Sequence, residues 1–161
     1  MPSISPVVLL LVHVDGDSRE MYAEFLRDHG FLPIPVKTAS DALTVAPHAD
    51  VIVTETLLPG RMDGIEFIAR LKCDERTRTI PVIALTVCAW QSERERAEKA
   101  GCEAFLAKPC LPDALLREVR RVLASSQVRD VSGTATKGGL PTEPADHRGL
   151  AVASTLLRRP E

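Results

Sequence analysis

The chain has 161 residues, 45% of them hydrophobic and 26% charged, which is the composition of one globular domain long enough to bury a core. Lys and Arg number 20 against 22 Asp and Glu, a net charge of −2, so no basic excess exists to neutralise a run of phosphates and nucleic acid is not an expected partner. The longest apolar run, Val7–Val12, is far too short to span a bilayer, and Met1-Pro2-Ser3 lacks the positive flank of a secretory signal; a soluble, cytoplasmic protein with no membrane partner is expected. Cys73, Cys88, Cys102 and Cys110 form no CxxC pair and read as small buried hydrophobes rather than as a disulfide or zinc set.

Taken in order, the chain alternates strand-like and helix-like stretches. Val7–Val12 reads as a strand buried on both faces. Asp17 or Ser18 would cap a helix running to His29, with Met21, Tyr22, Phe25 and Leu26 at helical spacing and Gly30 as its stop. Leu32–Val36, broken by prolines, suits an edge strand. Ser40 or Asp41 would cap a short helix to Ala46. Val51–Thr54 is a second buried run, after which Pro59-Gly60 and Asp63-Gly64 mark a loop. Ile65, Phe67, Ile68 and Leu71 stripe the next helix, Pro81–Leu85 is a fourth strand, and Ser92–Ala100 a charged helix stopped by Gly101. Ala104–Ala107 is a fifth strand, and Asp113–Leu123 a last helix with Leu115, Leu116, Val119, Val122 and Leu123 facing inward.

From Gln127 onward there are four Gly and three Pro, five basic and four acidic residues, and no aromatic side chain; Ser132–Asp146 has no periodicity. A flexible, disordered tail is expected over residues 126–161, with Leu150, Ala153, Leu156 and Leu157 as a frayed end rather than a docking peptide. No DNA-binding output domain is expected after Leu123.

Five strands alternating with five helices make βαβ units and a parallel sheet, with functional groups beyond the carboxyl ends of the strands. Those ends are His13-Val14-Asp15, Glu55, Thr86 and Lys108-Pro109. The stretches Asp17–Tyr22, Leu57–Gly64, Ile80–Thr86 and Gly101–Pro109, in order and correctly spaced across about residues 6–125, make the chain resemble the receiver domain of two-component response regulators. The resemblance implies a flavodoxin-like, doubly wound α/β fold with strand order 2-1-3-4-5 and five helices. It also implies an acidic pair that holds magnesium, an Asp that takes a phosphoryl group from a histidine kinase, a Ser or Thr and a Lys that contact the phosphate, and an aromatic residue that reports the change to partners.

Carried over by position, Thr86 matches the hydroxyl, Lys108 the ammonium and Phe105 the aromatic switch; Lys108-Pro109 matches a dipeptide often cis in the family. The acidic pair, however, falls on His13 and Val14, leaving only the following Asp15, and the phosphoacceptor position falls on Glu55. Sliding Asp15 and Asp17 into the pair would break the gapless match to Asp17–Tyr22. Val14 offers no oxygen and His13 is a donor better suited to transition metals than to Mg²⁺, so weak or absent magnesium binding and no other cofactor are expected. Glu55 would pair with Lys108, because an unpaired, partly buried charge is costly. Thr86 is left between two roles, capping the following loop or bonding Glu55, and Trp90 between surface packing and a partner anchor.

Enzyme signatures such as GxxxxGK[ST], GxSxG and HExxH are missing, so catalysis is not expected. Three functions stay open: a phosphorylation-independent pseudo-receiver acting by protein interaction, a receiver phosphorylated by atypical chemistry, or a metal or small-ligand sensor using the emptied acidic pocket with His13. In the first, a histidine kinase or downstream effector, or a second copy in a homodimer, would meet the face of the fourth helix, fifth strand and fifth helix. Glu93, Arg94, Glu95, Arg96, Glu98 and Lys99 there, with Arg117, Glu118, Arg120 and Arg121 beyond, carry mixed charge.

Overall fold

Parallel strands buried on both faces need helices on both sides, and the computed structural model, which describes residues 4–88 and 90–133, meets that requirement. Five strands, β1 (Val7–Val12), β2 (Phe31–Val36), β3 (Val51–Glu55), β4 (Val82–Thr86) and β5 (Ala104–Ala107), pair in parallel in the order β2-β1-β3-β4-β5. Helices α1 (Gly16–Asp28), α2 (Ala39–Val45), α3 (Gly64–Cys73), α4 (Gln91–Ala100) and α5 (Pro112–Gly133) alternate with them. This is the doubly wound, flavodoxin-like architecture expected from the sequence. The proline-broken β2 lies at the edge, as its missing amide hydrogens require.

Side chains alternate along each strand, and so the sheet feeds two cores. Leu9 and Leu11 join Tyr22, Leu26, Leu115, Val119 and Val122 on the α1/α5 side. Leu10 and Val12 join Phe67, Ile68, Leu71 and Ala97 on the α2–α4 side. From α3, Lys72 donates to Glu103 Oε1 and to the Ile80 carbonyl, both at 2.8 Å, while Glu103 Oε2 accepts from the Val82 amide at 2.6 Å. One ion pair thereby fixes where β4 begins.

Helix ends differ from the sequence reading where a nearby side chain bonds a free amide better than the residue suggested by type. Asp15, not Asp17 or Ser18, caps α1, accepting from the Ser18 amide at 2.8 Å. Thr38, not Ser40 or Asp41, caps α2 by accepting from the Asp41 amide, and Ala46–His48 adds a 3-10 turn. Gly101, at φ 112°, closes α4 in the left-handed region as expected. Helix α5 continues to Gly133, ten residues past the expected Leu123, so the expected loss of structure from residue 126 does not hold as far as 133; residues 134–161 lie outside the described residues. The four cysteines are free, but Cys73 is exposed and the other three only partly covered, which corrects the reading of them as buried hydrophobes. Burial pushes the Cys102 thiol up to about 11. No helix among the described residues is long and apolar enough to cross a membrane.

The tightest contact lies where the β3–α3 loop returns to the sheet. A Cβ built on Gly64 would stand 1.8 Å from the Glu55 carbonyl oxygen and 2.8 Å from Thr56 Cα, both backbone atoms with nowhere to go. Gly64→Ala should therefore destabilise the fold by about 3 kcal/mol or more, read as a lowered urea midpoint, since overpacking against backbone cannot be relieved by a rotamer change.

Candidate functional site

All five strands point the same way, so the loops after β1, β3, β4 and β5 meet at one end of the sheet. Glu55, the last residue of β3, is 8% exposed. Its two carboxylate oxygens are both taken. Lys108, just past β5, donates from Nζ to Oε1, which is the expected ion pair, and the Val14 amide donates to Oε2 at 2.5 Å. The Lys108–Pro109 bond is cis. His13 Nε2 stands 3.7 Å from Glu55 Oε1.

Val14 contributes no side-chain oxygen, but its backbone amide is one of the two groups that hold the carboxylate. The β1–α1 loop is fixed for that task by Arg19, whose Nη1 donates to the carbonyls of His13 at 2.7 Å and Val14 at 3.2 Å. Neither the Val14 amide nor Arg19 was legible from residue type, because one is a backbone group and the other acts through carbonyls. Asp15 is exposed and serves as the cap of α1; the Ser18 bonds hold its carboxyl below the usual range. Asp17 lies exposed in the first turn of α1, and β1 ends at Val12.

His13 is 2% exposed, and its Nδ1 has no hydrogen-bond partner among the described residues. Burial first, and the Lys108 ammonium second, push the imidazole down to about 4, so it is neutral at pH 7. Its ring lies 5.7 Å from that of Tyr22, whose hydroxyl donates to the Cys110 carbonyl at 2.5 Å.

Of the two roles open to Thr86, loop capping is the one seen. Its Oγ1 accepts from the Cys88 amide at 3.0 Å and from the Thr56 hydroxyl at 2.9 Å. Thr56 is buried and belongs to the site, although its side chain matches no motif and residue type gave no reason to single it out. Phe105 is partly buried on the edge strand β5 against the α2–α4 core. Trp90 is 74% exposed at the start of α4.

A hard divalent cation needs several oxygen ligands, and the geometry here bears on that need. Val14 has none to offer in its side chain, one oxygen of Asp15 accepts from the Ser18 amide, and the Glu55 oxygens face an ammonium and an amide.

Residues 9–120 match the family described as the response regulator receiver domain. The chain belongs to that family. As a response regulator receiver domain it is a module of two-component signalling. It is 30% identical over 154 residues to the phosphate regulon transcriptional regulatory protein PhoB of Escherichia coli, covering 94% of this chain and 67% of PhoB. The chain thus spans about two thirds of the length of that relative. It is 28% identical over 120 residues to the polar-differentiation response regulator DivK of Brucella ovis, covering 73% of this chain and 97% of DivK. Among solved structures it resembles the chemotaxis response regulator CheY4 of Vibrio cholerae, with a TM-score of 0.68 and 26% identity, over 73% of this chain and 99% of that one. It also resembles the receiver domain of a sensor histidine kinase from Pseudomonas aeruginosa, which holds a magnesium ion in its active-site cleft, with a TM-score of 0.68 and 29% identity, over 74% of this chain and 99% of that one.

The charges of this receiver domain make two outcomes measurable. Lys108→Met leaves the Glu55 carboxylate without its cation and should cost about 2–3 kcal/mol, while Glu55→Gln/Lys108→Met should cost clearly less than the two single changes summed; a double-mutant cycle in urea measures the difference. The other outcome concerns pH. His13 takes up a proton at its ordinary 6.5 when unfolded but only near 4 when folded, so its contribution is full above pH 6.5 and is lost as the pH falls toward 4. About 3 kcal/mol should disappear across that window, and His13→Leu should flatten this part of the stability profile measured by urea unfolding at about pH 7, 5.5 and 4.

Proposed function

We propose that this receiver domain is a pseudo-receiver, which acts by protein–protein interaction without being phosphorylated. The observation that supports this most directly is the state of Glu55, whose carboxylate stands at the phosphoacceptor-equivalent position with one oxygen on the Lys108 ammonium and the other on the Val14 amide. A carboxylate so held is a poor nucleophile for an incoming phosphoryl group. The Val14 and Asp15 arrangement argues for weak or absent magnesium binding, which would remove the charge screening that carboxylate attack on a phosphoryl group demands. In this reading His13, Val14 and Asp15 mark the vacated acidic-pair positions, Thr86, Phe105 and Lys108 are the switch and phosphate-contact equivalents, and no cofactor or catalysis is involved.

Residues 6–125 carry the module. The protein works in the cytoplasm. Its partner is a signalling protein, a histidine kinase or a downstream effector, met through the face of α4, β5 and α5; a homodimer would use the same face. The charges there pair chiefly within their own helices, Arg94 with Glu98, Arg96 with Glu93 and Arg121 with Glu118, leaving a mixed surface suited to fixing register rather than to bulk attraction.

Intact mass after incubation with acetyl phosphate and Mg²⁺ tests the reading. The wild type should gain no mass, and Val14→Asp/Glu55→Asp should gain one phosphoryl group, with His13→Asp added if the pair stays silent. A phosphoryl group on the wild type would overturn it in favour of an atypical phosphoacceptor, and mapping would assign the group to Glu55 or Asp15. A metal- or pH-dependent change in Trp90 fluorescence would instead favour the sensor reading.

A further inference from the structure

Beyond the question of phosphorylation, we infer that Thr56 is a positioning residue that latches Thr86 and so uncouples the β4–α4 loop from the charge on Glu55. The two residues are 1% and 2% exposed; Thr56 directly follows β3 and Thr86 ends β4, and these strands are neighbours in the sheet. The Thr56 hydroxyl donates to Thr86 Oγ1 at 2.9 Å, and the Cys88 amide donates to the same oxygen at 3.0 Å. A hydroxyl oxygen has two lone pairs, and both are used; its one proton faces the Cys88 carbonyl at 3.4 Å. To donate to the Glu55 carboxylate, Thr86 would have to turn about its Cα–Cβ bond, abandon both accepted bonds and leave the Thr56 hydroxyl buried without that partner.

The anchor itself cannot follow such a turn. The Thr56 amide donates to the Leu85 carbonyl, and its own carbonyl accepts from the Gly64 amide, both at 2.9 Å, where the chains are already too close for a Cβ on Gly64. The Thr86 carbonyl is held in turn by the Lys108 amide at 2.7 Å. Thr86 is therefore fixed on its hydroxyl and its carbonyl; the backbone that holds its carbonyl belongs to the same Lys108 whose ammonium holds Glu55, but the hydroxyl shares no partner with the Glu55 carboxylate. Past Val87, 64% exposed, the latch holds the start of the loop through the Cys88 amide.

Trp90 is the single tryptophan of the chain, and its indole N–H, with the Cys88 amide, reports on the loop in a proton–nitrogen correlation spectrum. Glu55→Gln should move the Val14 amide signal, its direct partner, and leave the Cys88 and Trp90 signals in place. Thr56→Val, which keeps the shape and removes the hydroxyl, should speed hydrogen exchange of the Cys88 amide by about tenfold or more, the loss expected for one buried hydrogen bond, and in that background Glu55→Gln should move both reporter signals. Thr56→Ser should behave as the wild type. Movement of the Cys88 and Trp90 signals by Glu55→Gln with Thr56 intact would overturn the inference, even if Thr56→Val failed to fold. So would wild-type exchange at Cys88 in Thr56→Val. A phosphoryl group on the wild type would overturn the pseudo-receiver reading but leave the latch standing, because the latch is tested by these signals alone.

Discussion

A carboxylate at the end of a central, buried strand loses most of its water and must recover the lost hydrogen bonds from protein groups. Glu55 is that carboxylate, and the carboxyl end of the sheet is organised around it. Lys108 arrives from the end of β5 and the Val14 amide from the end of β1, and Arg19 holds the β1–α1 loop by its carbonyls so that the amide points inward. Three elements far apart in sequence are tied through two oxygen atoms. The neutrality of His13 belongs to the same arrangement, since a second positive charge beside Lys108 in a poorly solvated place is opposed by both burial and repulsion.

Most of the architecture is legible in the sequence because parallel sheets leave a strong signature. Strands buried on both faces are continuous apolar runs, and helices covering them carry stripes, as at Phe67, Ile68 and Leu71 or Leu115, Val119 and Val122. The differences lie at element ends. Asp15, Asp17 and Ser18 are all acceptable caps by type, and only the path of the chain out of β1 decides that Asp15 meets the Ser18 amide. The extension of α5 to Gly133 leaves little trace because the stretch from Ala124 to Arg129 has no wide apolar stripe, and a helix that has run past the core needs none. Composition favours buried cysteines, but their exposure depends on which side of each helix or loop they fall.

At the site, the strand pattern marks Glu55, Lys108 and Thr86 as strand-end residues, and the roles expected of them, like the oxygen expected at Val14, come from the family resemblance. The groups that complete it are not legible, and for a common reason. The Val14 amide is backbone, Arg19 acts on backbone carbonyls, and Thr56 acts on another hydroxyl, so none of them leaves a residue-type pattern pointing to its role. Gly64 reads only as a loop marker in the sequence, but it permits two backbones to approach closely beside Glu55 and Thr56.

By itself the sequence determined the order of strands and helices, the parallel sheet and the charge types at the strand ends, because periodicity and local residue type carry those properties. The tertiary structure alone decided which partner each of those groups took: that both oxygens of Glu55 are held, that Thr86 turns to Cys88 and Thr56, and that Asp15 serves a helix. Hydrogen bonds are directional and short, so a choice among several chemically competent partners is made by backbone positions set tens of residues away.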